Sequence, residues 1–396
     1  MKAQRIRENI HWVGAVDWER RLFDELIPTP EGTTYNAYLV RGTEKTALID
    51  SVDPSFAGVL FQRLDHLGVT DIQYVISNHA EQDHSGALPL VLERFPAARI
   101  LCTAKAKGML HDLLDLPDDR VLPVEDGATL PLGGATLRFL HFPWVHWPET
   151  MVTSLEEERL LFSGDLFGAH LATGSLFDAC TAELLLAAKR YFAEIMMPFR
   201  SQISRGLPKV TALDLDLILP SHGPAVQEPG AMIAAYQEWV SDTPRNQAAL
   251  VYTSMHDSTR RMVLHLADAL VDRGVRVEVF NLATTDLGTL AVGLVDAGTV
   301  VLGSPMVLGG AHPAVAYAAL LANALKPRTR FLAIIGSQGW GGKLVDQLTG
   351  LLPNLKAEFL GATLAKGQPG NEDLAALDTL AATIARRHAE AGLPPA

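Results

Sequence analysis

From Gln247 to the C-terminus, five apolar runs at 248–252, 275–282, 299–303, 330–336 and 357–365 alternate with segments of helical length. No other pattern in the 396 residues restricts the fold as strongly. Apolar runs bounded by turn residues and separated by helices bury both faces as a parallel sheet wrapped by crossover helices. The second half is therefore expected to be a doubly wound parallel sheet of five strands. A polar, proline-containing stretch at 241–246 precedes it. The expected division is a domain of residues 1–245 followed by one of 246–396.

The first half has a different rhythm. Short strand-sized runs at 35–40, 46–50, 71–77, 99–103, 136–141, 150–154 and 159–163 are mixed with helical stretches at 57–67, 182–195 and 230–240. Loops rich in His and Asp follow several of the strands, which suggests an αβ sandwich with a site at its strand ends. One hydrophobic core seldom organises a chain of this length, so two cores are expected. Hydrophobic residues at 48% and charged residues at 20% exclude a disordered or collagen-like chain. A net charge of -12 argues against a nucleic-acid partner and suits a basic protein partner. The N-terminus has scattered charges and no apolar signal core, and no apolar run is long enough for a membrane span, so cytoplasm and no membrane are the expectation.

With only Cys102 and Cys180, a metal site must be built from His and carboxylates. Asn78-His79-Ala80-Glu81-Gln82-Asp83-His84-Ser85-Gly86 offers four potential ligands on a loop leaving a strand. A cation offsets the repulsion between Glu81 and Asp83 and uses the lone pairs of His79 and His84. A polar surface loop is the bland alternative for this cluster alone. Three later residues complete a set that it explains poorly. His146 lies in an aromatic-walled loop, Asp165 follows a strand in Phe162-Ser163-Gly164-Asp165, and His222 follows the short apolar run 217–219.

This order of residues resembles the metallo-β-lactamase fold, whose hydrolases carry H-x-H-x-D-H and later His, Asp and His. Here Glu81 replaces the second His, giving three carboxylates and four imidazoles. Hard oxygen donors favour two irons over two zincs, and a pair of irons would make the site redox-active. H-x-E-x-D-H with these later residues resembles the flavodiiron proteins. The flanks Thr33-Thr34-Tyr35-Asn36-Ala37-Tyr38-Leu39, His146-Trp147-Pro148-Glu149 and Ala188-Lys189-Arg190-Tyr191-Phe192 look like family segments. The resemblance implies an N-terminal αββα metallo-β-lactamase-like sandwich and a flavodoxin-like second domain. It implies one iron held by His79, Glu81 and His146, another by Asp83, His84 and His222, and Asp165 as the bridge. Asp24 stands where several members have a His, which leaves the choice between O₂ and NO open.

The second half carries candidate flavin contacts in three loops. Ser254, Met255, His256, Ser258 and Thr259 lie where the first strand gives way to a helix, and hydroxyls and backbone N–H groups there suit the single phosphate of FMN. No dinucleotide or nucleoside-triphosphate fingerprint is present. Ser304, Pro305 and Met306 follow the third strand; Ser337, Gly339, Trp340 and Gly341 follow the fourth. Strand ends at a switch point are where such sheets bind ligands, and Trp340 offers a stacking face. The loops resemble the family's flavodoxin-like module, with His256, Met306 and Leu308 as departures.

What the resemblance implies is a flavodiiron oxidoreductase that reduces O₂ to water, NO to N₂O, or both, with two Fe ions as the reacting centre and FMN feeding them. Trp147 and Tyr191 are the candidates for steadying a bound ligand. Metal and flavin loops on separate domains are expected to need a head-to-tail homodimer or a dimer of dimers. The sequence ends soon after its last helix without an appended Cys₄ module, so an external donor such as rubredoxin, or a reduced deazaflavin, is expected. The competing expectation is a zinc-dependent hydrolase of the metallo-β-lactamase fold with an accessory domain; a flavin- or metal-dependent sensor is a third, without a DNA-binding element to support it.

Overall fold

Along the strand Tyr38–Arg41, Tyr38 and Val40 face one core and Leu39 the other, and all three are buried. Strand Thr46–Ile49 repeats the pattern, with Leu48 on one side and Ala47 and Ile49 on the other. Strands apolar on both faces belong inside a sheet covered on both sides. The computed structural model describes residues 1–396 and realises this as two sheets facing one another. One sheet contains Tyr38–Arg41, Thr46–Ile49, Tyr74–Ile76 and Arg99–Cys102 side by side. The other contains Thr136–His141, Met151–Leu155, Leu160–Gly164 and Leu217–Pro220. Between them Trp12, Tyr38, Ile49, Ile76, Phe139, Phe162 and Leu219 form a shared core.

Helices close the outer faces. Leu39, Leu48, Val75 and Ile100 pack with Leu60 and Leu64 of Ala57–His66, Val91 of Leu88–Arg94, and Leu110 of Ala104–Leu114. Helix Arg200–Thr211 lies along the second sheet, where Gly206 leaves room for the Phe142 ring and Lys209 reaches Asp126 at 2.8 Å. The helical stretch expected over 182–195 is α-helical only for Ala182–Tyr191 and then widens into a π-turn at Phe192–Met196. Helices Ala104–Leu114 and Arg200–Thr211 add to the elements expected from the sequence.

The chain divides into two compact units, Met1–Phe192 with Phe199–Val240, and Ala193–Pro198 with Ser241–Ala396. In the second, strands Arg245–Tyr252, Arg276–Asn281, Ala297–Val307, Phe331–Gln338 and Glu358–Lys366 pair in parallel. Their spatial order is second, first, third, fourth, fifth, the flavodoxin-like winding. Helices Ser258–Val271 and Asn371–Glu390 cover one face through Met262, Leu266, Leu270, Leu377, Leu380 and Ile384. Arg245 and Asn246 already belong to the first strand of this sheet. No helix in the chain is long and apolar enough to cross a membrane.

Candidate active site

Strand Tyr74–Ile76 delivers the loop that carries His79, Glu81, Asp83 and His84. A buried chain of polar groups fixes its start. The Asp50 carboxylate accepts from the Asn78 backbone N–H at 2.7 Å and its side-chain amide at 2.9 Å, and the Thr153 hydroxyl donates to Asn78 Oδ1 at 2.7 Å. Glu81 stands just before the single-turn helix Gln82–Ser85 without capping it, the helix sets Asp83 and His84 on the inside, and the Ser85 hydroxyl ties back to the Ala80 carbonyl at 2.6 Å. Asp165 and His222 follow the adjacent parallel strands Leu160–Gly164 and Leu217–Pro220, so they enter the same space from the second sheet.

These seven side chains meet in two adjacent groups. His79, Glu81, His146 and Asp165 have ligand atoms all within 4.8 Å of one another, as do Asp83, His84 and His222. Asp165 lies between the groups: Oδ2 is 3.3 Å from Nε2 of both His79 and His146, and Oδ1 is 3.1 Å from His84 Nε2 and 3.6 Å from His222 Nε2. The histidine tautomers suit cation binding. His79 donates its Nδ1–H to Glu149 Oε1 at 2.7 Å, and His222 donates its Nδ1–H to the Thr34 carbonyl at 2.6 Å. In the neutral ring each Nε2 is then a bare lone pair aimed at carboxylates, and His79 Nε2 stands 3.0 Å from Glu81 Oε2. Either a proton on Nε2 or a metal cation must lie between two such atoms, and against the effect of burial Glu149 and Glu81 raise the His79 pKa well above its ordinary value.

The carboxylates make the same demand. Both oxygens of Asp83 and both of Asp165 are buried with no well-aligned donor and only imidazole Nε2 atoms at 3.1–3.6 Å, so protonated imidazoles or a metal cation must satisfy them. Burial alone raises the Asp165 pKa, but the neighbouring His84, then His146 and His79, outweigh it and hold the group well below the usual range. Burial likewise opposes charge on His84, while Asp83 and Asp165 push its pKa up to about 9. At the rim, Asp24 is raised to about 6 by burial and by the charges of Glu81 and Asp83. Imidazole nitrogens and hard carboxylate oxygens around two adjacent centres fit a pair of irons.

Several supporting residues escape a reading of local sequence. Glu149, noticed only within a family-like flank, is buried, orients His79, and also accepts from the Ala80 N–H at 3.0 Å. Glu149→Gln is expected to lower iron affinity roughly 10- to 100-fold with little change in fold, read by metal analysis after dialysis against a weak chelator. Asn36 donates to the carbonyls of Pro220 and Gly223, both at 2.8 Å, and the Tyr38 hydroxyl donates to Pro220 at 2.6 Å, so the Thr33–Tyr38 segment shapes the His222 turn. His170 was missed outright; its only local signal is an imidazole inside the apolar stretch 166–171. The two expected flanking residues lie on opposite sides. Trp147 sits edge-on to His79 at 5.0 Å, and Tyr191 is 4.9 Å from the His170 ring and 5.8 Å from that of His222.

In the second unit, the candidate flavin loops meet at the C-terminal ends of neighbouring strands, with Tyr252 paired to Gly303 and Pro305 to Ser337. Thr259 and Ser337 bring their hydroxyls to 3.1 Å. Helix Ser258–Val271 begins with Ser258 and Thr259 and takes no cap from Asp257; the Ser254 hydroxyl accepts from the Arg260 N–H at 3.3 Å, and the N–H groups before it and the helix dipole suit a phosphate. Ser254, Met255 and His256 form the preceding turn. Gly339 and Gly341 border open space, and Trp340 between them is 74% exposed. A helix start beside hydroxyls, with an exposed aromatic plane in a glycine loop, fits FMN.

The middle loop differs from expectation. Ser304, Pro305 and Met306 lie within the strand Ala297–Val307, which folds back in a short hairpin onto Gly310–Ala311. The Ser304 hydroxyl is fully buried, accepting from the His312 N–H at 2.9 Å and donating to the Pro305 carbonyl at 2.8 Å, so only its backbone can serve a ligand. Met306 packs against Gly342, joining the middle loop to the Trp340 loop, and Leu308 projects fully into solvent.

The family model described as "ODP family beta lactamase" matches residues 33–223. The chain is 35% identical over 395 residues to the nitric oxide reductase of Moorella thermoacetica, spanning 97% of this chain and 98% of that one. Its structure is similar to rubredoxin oxygen:oxidoreductase from Desulfovibrio gigas, with a TM-score of 0.94, 30% identity, and coverage of 98% of this chain and 99% of that one. It is also similar to the flavodiiron protein from Giardia intestinalis, with a TM-score of 0.92, 28% identity, and coverage of 99% and 98%.

Proposed function

Since this chain belongs to the flavodiiron protein family, we propose that it reduces O₂, NO or both at the site between its two ligand groups, using electrons that reach it through FMN. The observation that carries this reading is the convergence of three carboxylates and four imidazoles in two adjacent sets with Asp165 between them. When bound, the irons supply electrons and a binding place for the diatomic, and FMN supplies electrons singly or in pairs. His79, Glu81 and His146 would hold one iron, Asp83, His84 and His222 the other, and Asp165 both. Glu149 and Thr34 keep His79 and His222 in the tautomer that presents Nε2. Trp147 beside His79 and Tyr191 beside His222 would steady the small ligand. Ser258, Thr259 and Ser337 would hold the FMN phosphate end, with Trp340 against the ring. The proposal takes residues 1–245 as the diiron domain and 246–396 as the flavin domain.

A visible spectrum with metal analysis tests the reading. Flavin bands with about two irons per chain, and oxidation of the reduced protein by O₂ or NO in stopped flow, are expected. A colourless zinc protein would sink it in favour of the hydrolase.

Electrons are proposed to arrive from a separate donor of the rubredoxin kind. The working unit is proposed to be a head-to-tail dimer, or a dimer of dimers, in which one copy's flavin loops serve the other's metal site. Large exposed apolar side chains near each site support this: Trp18, Leu22 and Leu26 in the segment that also carries Phe23 and Asp24, and Met255, Leu308 and Trp340 on the flavin loops. Leu308 is 99% exposed and holds a left-handed backbone, an uncomfortable place for a leucine without a partner surface. Burying a leucine contributes about 1.5–3 kcal/mol, so Leu308→Glu is expected to weaken the dimer at least about tenfold. Light scattering across a concentration series should show the monomer emerging, with flavin content unchanged.

A further inference from the structure

We infer that Gln368, in the loop after the last strand of the second unit, is a positioning residue for the flavin phosphate: its side chain fixes the turn that offers the phosphate its backbone N–H groups. The inference rests on the flavin reading above and adds a further loop to the three which that reading uses. None of the N–H groups of Met255, His256, Asp257, Ser258 and Thr259 donates to another group of the protein. Those of the next two residues do, Arg260 to Ser254 Oγ at 3.3 Å and Arg261 to the Asp257 carbonyl at 2.9 Å. Five consecutive open donors at the start of a helix form a cradle for an anion.

Such a cradle works only while its carbonyls are turned away from the anion. Its backbone does not guarantee that by itself, because Asp257 has a φ of +66°, the left-handed region that a residue with a side chain adopts at a cost. The Asp257 side chain makes no capping bond that would hold it there. Gln368 reaches in from outside the turn, and its Nε2 donates to the His256 carbonyl at 3.1 Å. In a planar trans peptide the C=O and the following N–H point opposite ways. A His256 carbonyl held toward Gln368 therefore directs the Asp257 N–H to the other side.

Gln368 is itself held. Its Oε1 accepts from an Arg261 Nη at 2.9 Å, which orients the amide with its N–H₂ toward His256. The preceding Gly367 has a φ of +79°, and its N–H donates to the Gln338 carbonyl at 2.8 Å, where strand Phe331–Gln338 passes into the Trp340 loop. Gly367 and Gln368 thus clasp the phosphate turn to the loop that carries Trp340. The Thr259–Ser337 hydroxyl contact at 3.1 Å joins the same two segments.

Riboflavin is FMN without its phosphate, so comparing the two flavins isolates the turn. The full chain, stripped of flavin, is titrated with each by fluorescence quenching. Gln368 is exposed, and Gln368→Leu removes both of its side-chain hydrogen bonds without disturbing a core. FMN binding is expected to weaken about tenfold, with riboflavin binding within about twofold of the unmodified protein. Unaltered FMN affinity would overturn the inference. Equal weakening of both flavins would do so too, by making Gln368 a general prop of the domain, as would an unmodified protein that binds FMN no better than riboflavin. An unmodified protein that binds neither flavin would instead overturn the flavin reading itself.

Discussion

Asp165→Asn is expected to leave a folded yellow protein that has lost its hold on iron and its turnover together. The side chain is 1% exposed, and its two oxygens lie 3.1–3.6 Å from the Nε2 atoms of four histidines. No other residue faces both ligand groups in this way. Asparagine keeps the shape but withdraws one negative charge and turns N–H hydrogens toward imidazole lone pairs and cations. Both changes act in a buried setting, where charge interactions are screened weakly. Iron is expected to fall from two per chain to about one or fewer, and O₂ or NO reduction by roughly 10³-fold or more. Metal analysis and stopped-flow oxidation of the reduced protein read the two effects, while the flavin spectrum serves as the folding control. A variant with both irons and turnover within tenfold would remove Asp165 from the bridge.

The second large effect is expected from Glu81→His, which restores the residue found at this place in hydrolases of the resembling fold. Glu81 Oε2 lies 3.0 Å from His79 Nε2 and 3.2 Å from His146 Nε2, so an imidazole would replace an anionic oxygen at the centre of the first group. The set would then hold two carboxylates and five imidazoles. A softer, less anionic shell stabilises oxidised iron less well and suits zinc better. Protein loaded with an equal mixture of ferrous iron and zinc is expected to shift toward zinc, with reduction of O₂ and NO falling at least about 10²-fold. Unchanged selectivity together with unchanged turnover would show that the carboxylate is not what sets the chemistry.

What the sequence disclosed depended on how far apart the cooperating residues lie along it. His79, Glu81, Asp83 and His84 share one loop, and Asp165 and His222 each mark a strand end, so the ligand candidates stood out locally. Glu149 did not, because its function is to hold an imidazole 70 positions away. His170 was hidden for the same reason: its surroundings are Thr33, 137 positions away, and rings contributed by three other segments. The parallel sheet of the second unit was legible because each strand carries its own apolar run. Helix Ala104–Leu114 buries little beyond Ala106 and Leu110, which leaves almost no periodic trace, and Pro208 disguises Arg200–Thr211 by sitting within its last turn. Pro305 misled in the opposite direction, since it looked like the end of a strand that continues to Val307.

The polar chain from Asp50 through Asn78 to Thr153 has a practical consequence. It anchors the ligand loop to both sheets with hydrogen bonds that owe nothing to a metal. The pocket is thus a socket built by the sandwich, unlike zinc fingers, whose folding depends on their ion. It should tolerate being emptied by a chelator and recharged with manganese or cobalt without the polypeptide melting in between, giving spectroscopic stand-ins for the native centre and letting assembly be followed one equivalent at a time.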